Sequence, residues 1–178
     1  MTTREIRIIG DPVLRKPATE VTELTGALAR LADEMVVTMY EAPGLGLAAP
    51  QVGVQKRFFV YDLGEGPGAI VNPVIEESDG EWLFEEGCLS VPGLSWEILR
   101  PKTIHIVGVD LDGNDVSIEA DELESRLFQH ELDHLDGVLL VDHLDEDQAR
   151  DARKALRDLT LFGAVPSRPA PEGGFRLL

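Results

Sequence analysis

Residues 129–137 read QHELDHLDG, with two histidines four positions apart and a glutamate directly after the first. Four positions is about one helical turn, so a helix sets both imidazoles on one side. Take about 100° per residue with His130 as origin. An arc of roughly 200° then gathers His130, Leu123, His134, Leu127, Glu131, Glu124, Leu135, Phe128 and Leu132. The complementary, polar arc takes Ser125, Asp136, Gln129, Glu122, Asp133 and Arg126. Any fold available to this chain must therefore bury a helix face carrying two histidines and a glutamate. Asp121 and Glu124 fit a capping box, which gives Glu124 a local partner, and Gly137 ends the helix. Glu131 lies inside the helix and has no such partner. A buried carboxylate needs a charge or hydrogen bonds, or it keeps its proton. A divalent cation held by the histidines supplies that charge, and His-Glu-x-x-His is a spacing used in metal-assisted hydrolysis. Two core histidines beside a salt-bridged glutamate are the weaker reading, because the whole inward arc needs an explanation.

Two histidines do not complete a catalytic metal site, which typically has three protein ligands and a water. A metzincin arrangement needs a further histidine where Leu140 stands, and Lys154 sits where a thermolysin-like glutamate is expected. Asp145, Glu146 and Asp147 are candidates, although their place at a helix start favours capping. Upstream, EEGCLSVPG holds Cys88, the only cysteine of the chain. Its thiolate with two imidazoles would suit Zn²⁺, Fe²⁺, Ni²⁺ or Co²⁺. A buried inert cysteine fits the spacing nearly as well. A structural metal would be closed by four protein ligands, and one cysteine makes that reading poor.

A second stretch, GLGLAAPQ over residues 44–51, superficially fits a dinucleotide fingerprint. That fingerprint follows a strand and opens a helix; here a helix precedes and a strand follows. The stretch reads as a helix-to-strand turn, or as glycines that let a ligand's backbone approach, with Gln51 offering an amide donor.

The flanking pattern gives the architecture. Leu24, Leu28, Leu31, Met35 and Met39 recur at helical spacing within 23–42, and Pro43-Gly44 stops that helix. Strands are expected over 57–63, 69–75, 81–84, 95–99, 103–109 and 116–118, the last two joined by the Asp-Gly turn in DLDGND. Helices follow from Asp121 and over 145–161. Strands in runs mean α+β, not a doubly wound sheet. Residues 1–163 are expected to form one domain, and 164–178 a Pro- and Gly-rich tail. A net charge of −17 disfavours nucleic acid and anionic membrane as general partners. No apolar run approaches the ~20 residues of a membrane span, and a single thiol without a secretory signal fits a cytoplasmic setting.

Taken together, GLGLAAPQ, EGCLS (86–90) and QHELDH (129–134) resemble the three motifs of the peptide deformylase family, in that family's order. DPVLR at 11–15 matches its amino-terminal pattern, and the resemblance spans roughly residues 4–143. The resemblance implies an α+β fold with antiparallel sheets around a central metal-binding helix, and a C-terminal helix beyond it. It implies Cys88, His130 and His134 as metal ligands, with Fe²⁺ the usual physiological ion. Glu131 would be the general acid and base, with Gln51 and the Leu89 N–H facing the developing oxyanion. Gly44 and Gly46 would contact the peptide, which binds extended beside the turn; Leu123 and Leu127 are candidate pocket walls, or ordinary core. The implied reaction is hydrolysis of the N-formyl group from the initiator methionine of nascent peptides, releasing formate, with water activated by the metal.

The carboxy-terminal region resembles the family less. Arg150, Arg153, Lys154 and Arg157 share a helical face, which in some deformylases docks on the ribosome. Asp147, Asp151 and Asp158 interrupt that field, so a solvated salt-bridged helix is favoured. Ala149, Ala152, Leu156 and Leu159 form its apolar seam.

Overall fold

The computed structural model describes residues 2–162 and 178, the side chains of 158–162 excepted. Its helices are α1 (Gly26–Glu41), α2 (Glu122–Asp136) and α3 (Glu146–Phe162). Its strands are β1 (Gly46–Ala48), β2 (Phe58–Tyr61), β3 (Gly68–Asp79), β4 (Trp82–Cys88), β5 (Val91–Arg100), β6 (Thr103–Val109) and β7 (Asp115–Asp121). All pair antiparallel, in a five-stranded sheet ordered β1-β2-β3-β6-β7 and a separate β4-β5 ribbon. The α+β expectation holds.

Side-chain alternation along β2 shows how the layers form. Phe58 and Val60 join Leu28, Met35 and Met39 of α1 in one core cluster. Phe59 joins Leu127, Phe128 and Leu135 of α2 in another. Successive strand residues point to opposite faces, so the sheet lies between the two helices. Thr25 starts α1 by accepting the Leu28 N–H at 3.3 Å, and the buried leucines and methionines of α1 are each worth about 2–5 kcal/mol on truncation. Phe128 anchors α2, with its ring edge-on to Tyr61 at 4.9 Å between centroids.

Three expectations are corrected. Residues 44–51 are not a plain turn: they form β1, paired through Gly46↔Tyr61, and a 3₁₀ turn over Ala49–Val52. Three residues are too few to show periodicity, and the pairing partner is distant in sequence. Asp121 caps α2 through the Glu122 N–H at 2.8 Å rather than by a box with Glu124. Third, Ser125, Arg126 and Gln129, on the polar arc of α2, are buried, whereas Leu123, Glu124 and Leu132 of the inward arc are partly exposed. A helical wheel separates polar from apolar residues; it does not show that a second layer, here the β4-β5 ribbon, covers the polar side.

The DLDGND hairpin forms as predicted, with Asp110 Oδ1 accepting the N–H groups of Asp112 and Asn114 at 2.9 Å. In α3, Ala152 is buried and Leu156 partly so, while Arg150, Arg153, Lys154 and Arg157 are exposed. The Pro- and Gly-rich tail expected over 164–178 lies outside the described residues, except for Leu178. That residue is buried, and its N–H donates to the Gly87 carbonyl at 3.2 Å. No helix of the described residues is long and apolar enough to cross a membrane.

Candidate active site

The β4-β5 ribbon has a register shift between Gly87 and Cys88, after which Cys88 pairs with Val91 across a two-residue turn of Leu89 and Ser90. That places Cys88 at the ribbon's end, where it meets α2. Donor atoms of Cys88, His130 and His134 lie within 4.8 Å of one another and all three residues are buried; among the described residues this is the group close enough to hold a metal ion. Cys88 Sγ stands 3.2 Å from His134 Nε2, and the two imidazole rings are edge-on at 5.0 Å. Asp145, Glu146 and Asp147 are outside this group. Asp145 instead accepts the Gln148 N–H at 2.8 Å, starting α3 as a cap.

The surroundings set the charge states. Burial pushes the Cys88 thiol up to about 12; the Ser90 N–H opposes this, and the Glu131 charge adds to it. Burial, with help from Asp133, raises the Glu131 carboxyl well above the usual range. Burial and the neighbouring His130 hold His134 well below an ordinary imidazole. His130 Nε2, His134 Nδ1 and both Glu131 oxygens are buried without a hydrogen-bond partner among the described residues. Each such group costs about 1–3 kcal/mol unless something answers it. A thiol that ionises on ligation, two imidazoles and an adjoining carboxylate are a donor set that fits a borderline divalent cation.

Gln51 and the glycine turn close in from β1. Gln51 Oε1 accepts the Ala48 N–H at 2.7 Å, leaving Nε2 directed at Ser90 Oγ (3.2 Å) and Cys88 Sγ (3.8 Å). The amino-terminal segment pins both walls: Arg7 N–H donates to Gln51 O at 2.7 Å and Ile9 N–H to Ser90 O at 2.8 Å. A Cβ on Gly46 would lie 2.5 Å from Glu131 Oε1 and 2.8 Å from Leu127 Cδ1, and one on Gly44 would meet Leu89 Cδ1 at 2.8 Å. The bare turn thus admits Glu131 and Leu89 to the site. Leu127 is fully buried and Leu123 partly so.

Glu86, Arg100 and Arg126 were not singled out from the sequence, yet they form the buried wall behind His130. Glu86 receives Arg100 Nε at 2.7 Å and Arg126 Nη1 at 2.6 Å on Oε1, and Arg100 Nη2 at 3.1 Å on Oε2. The same Oε2 stands 3.1 Å from His130 Nδ1. Burial pushes the Glu86 carboxyl up, but the His130 hydrogen bond and Arg100 outweigh it and hold it well below the carboxylate range. The one available signal was that Glu86 opens EGCLS; its partners lie 14 and 40 residues away.

An α+β domain with a thiol and two helix-borne imidazoles around one point, and a carboxylate beside them without a hydrogen-bond partner among the described residues, defines a class of small proteins able to hold a divalent metal ion. The profile of the polypeptide deformylase family matches residues 3–150. The peptide deformylase of Agathobacter rectalis is 52% identical over 145 residues, covering 82% of this chain and 92% of that protein. That of Acidothermus cellulolyticus is 44% identical over 177 residues, covering 98% of each. The crystal structure of a peptide deformylase from Legionella pneumophila superposes with a TM-score of 0.86 at 38% identity, over 93% of this chain and 99% of that one. The chain belongs to the polypeptide deformylase family, a family of metal-dependent hydrolases.

Proposed function

We propose that this chain removes the N-formyl group from the amino-terminal methionine of newly made proteins in the cytoplasm and releases formate. The observation that carries the reading is Glu131: a fully buried carboxyl, both oxygens without a hydrogen-bond partner among the described residues, next to the Cys88–His130–His134 cluster. Cys88, His130 and His134 would hold one divalent ion, Fe²⁺ physiologically, with Zn²⁺, Ni²⁺ or Co²⁺ able to replace it. Bound there, such a cation would supply Lewis-acid chemistry, lowering the pKa of water and polarising the formyl group.

The remaining work falls to the chain. With a cation nearby the Glu131 carboxylate is favoured despite its burial. Glu131 then takes a proton from the attacking water and passes it to the amine nitrogen as the C–N bond breaks. Gln51 Nε2 and the Leu89 N–H donate to the oxygen that becomes negative, each worth on the order of 3 kcal/mol in the transition state. Gly44 and Gly46 offer backbone to an extended peptide, and Leu127 with Leu123 walls the methionine side chain. Residues 1–163 serve as the catalytic unit, with 164–178 as its tail. A ribosome contact through α3 is a second reading, favoured by four exposed basic side chains, though Arg150 pairs with Asp147 at 3.0 Å. Ribosome co-sedimentation that survives Arg→Glu changes there would remove it.

The test is formate release from formyl-Met-Ala by anaerobically purified protein, with metal content measured on the same sample. Acetyl-Met-Ala and free Met-Ala serve as comparisons. Turnover confined to the formyl peptide and proportional to bound metal is expected. Inertness of metal-loaded protein, or equal cleavage of the acetyl peptide, would overturn the assignment.

A further inference from the structure

Arg126 has a fully buried side chain although it lies on the charged arc of its helix. It sits on α2 four residues before His130, one turn away. Its Nη1 donates to Glu86 Oε1 at 2.6 Å and to the Ile98 carbonyl at 2.9 Å, and its Nη2 donates to the Trp82 carbonyl. The guanidinium also lies 5.3 Å from the Trp82 ring centroid. One side chain of α2 therefore grips β4 at Trp82 and Glu86 and β5 at Ile98.

We infer that Arg126 is a positioning residue for the metal site, acting through Glu86 on His130 and through β4 on Cys88. This rests on the proposed ligand set. Glu86 Oε1 is shared by Arg126 and Arg100, which fixes the carboxylate plane and leaves Oε2 facing His130 Nδ1 at 3.1 Å. A carboxylate there makes Nδ1 the protonated nitrogen, so the lone pair is on Nε2, the atom left without a partner among the described residues. Glu86 is also two residues before Cys88 on β4. The grip that orients the imidazole thus sets the distance between ribbon and helix, and with it the third donor. Lysine cannot replace this arginine: a point charge reaches Glu86 or the two carbonyls but lacks the planar fork that spans them.

The test uses the full chain, stripped of metal and titrated with Co²⁺ against a competing chelator. Affinity is read from bound metal and from the cobalt–thiolate absorption of Cys88. Arg126→Lys and Glu86→Gln are expected to bind about 10- to 100-fold more weakly than the parent, the range for removing a hydrogen-bond partner behind a metal ligand. Arg126→Met serves as the severe variant, and the two milder ones carry the test if it fails to fold. Leu28→Ala, a cavity in the α1 core, is expected to lower thermal stability while leaving cobalt affinity within twofold, which separates positioning from general loosening. Folded Arg126→Lys and Glu86→Gln proteins with parental affinity and an unchanged thiolate band would overturn the inference alone. A parent protein that binds Co²⁺ with no thiolate band would overturn the ligand set, and this inference with it.

Discussion

Glu131 reaches the site across Gly46: a Cβ there would lie 2.5 Å from Glu131 Oε1 and 2.9 Å from its Cδ. The glycine that the sequence offers as a peptide contact is also what makes room for the base. Gly46→Ala must displace Glu131 or Leu127, since β1 is held by its pairing with β2. A misplacement of about 1 Å costs on the order of 10²-fold in rate. The expected result is kcat/KM for formyl-Met-Ala reduced to that degree with bound metal unchanged. Parental turnover in a folded Gly46→Ala protein would show that the tight approach does not constrain the base.

Glu131 and Cys88 should fail in different ways when replaced. Glu131→Ala removes the proton carrier but no donor atom of the cluster, so metal content should hold while kcat falls by about 10²–10⁴-fold. Cys88→Ser removes the sulfur donor of the cluster, so affinity for the ion should fall and activity should return in part at high metal concentration. Metal analysis beside kinetics on both proteins checks this. Near-normal turnover without Glu131, or tight stoichiometric metal without Cys88, contradicts the respective role.

The sequence carries the site unevenly, for physical reasons. His130, Glu131 and His134 are legible because a helix turns spacing into direction, and one turn needs no knowledge of the rest of the fold. Cys88 is harder: its position depends on a register shift within a ribbon, and the sequence alone leaves an inert cysteine nearly as good a reading. Arg126 is misread outright. Its charge assigns it to solvent, and only the packing of the ribbon over α2 supplies the Glu86 carboxylate and two carbonyls that let it be buried. β1 is missed because a three-residue strand is defined by its partner, Phe59 through Tyr61, rather than by itself. The α+β class, α1 and the DLDGND hairpin are legible because local periodicity and turn chemistry decide them.

Removing the metal should cost stability as well as activity. His130 Nε2, an atom of the donor cluster, is buried without a hydrogen-bond partner among the described residues, and an ion that binds only the folded chain stabilises it by mass action, about 2.7 kcal/mol at a hundredfold excess over Kd. The thermal midpoint should therefore fall on chelation and recover on adding back Co²⁺ or Zn²⁺. Glu131→Ala should narrow this gap little, since Cys88, His130 and His134 all remain, whereas Cys88→Ser should narrow it strongly. An unchanged midpoint across chelation of a stoichiometrically loaded protein would contradict binding at this buried cluster.

Away from the metal cluster, Tyr40 and Asp62 give the chain a titration with a definite sign. Tyr40 Oη donates to Asp62 Oδ2 at 2.5 Å, and Asp62 Oδ1 accepts the N–H groups of Gly64 and Gly66 at 2.7 and 3.2 Å. The Asp62 N–H in turn donates to Leu45 O at 2.9 Å, so this loop buttresses the glycine turn. The Tyr40 hydrogen bond, then the Gly64 N–H, lowers the carboxyl below its ordinary 3.8 against a small opposing effect of burial, and the Gly66 N–H adds to the lowering. The same hydrogen bond, followed by burial and the Asp62 charge, raises Tyr40 above 10.0. A depressed carboxyl contributes stability in full above its ordinary value and loses it as pH falls through the folded one. A raised phenol contributes below its ordinary value and loses that contribution as pH rises through the folded one. The pair is therefore whole between those limits and weakens outside them. Carboxyl-carbon NMR should place the Asp62 midpoint below 3.8. In Tyr40→Phe the midpoint should rise towards that value yet remain under it, because both glycine N–H groups stay. A midpoint unmoved by the substitution would show that the loop amides alone hold the charge.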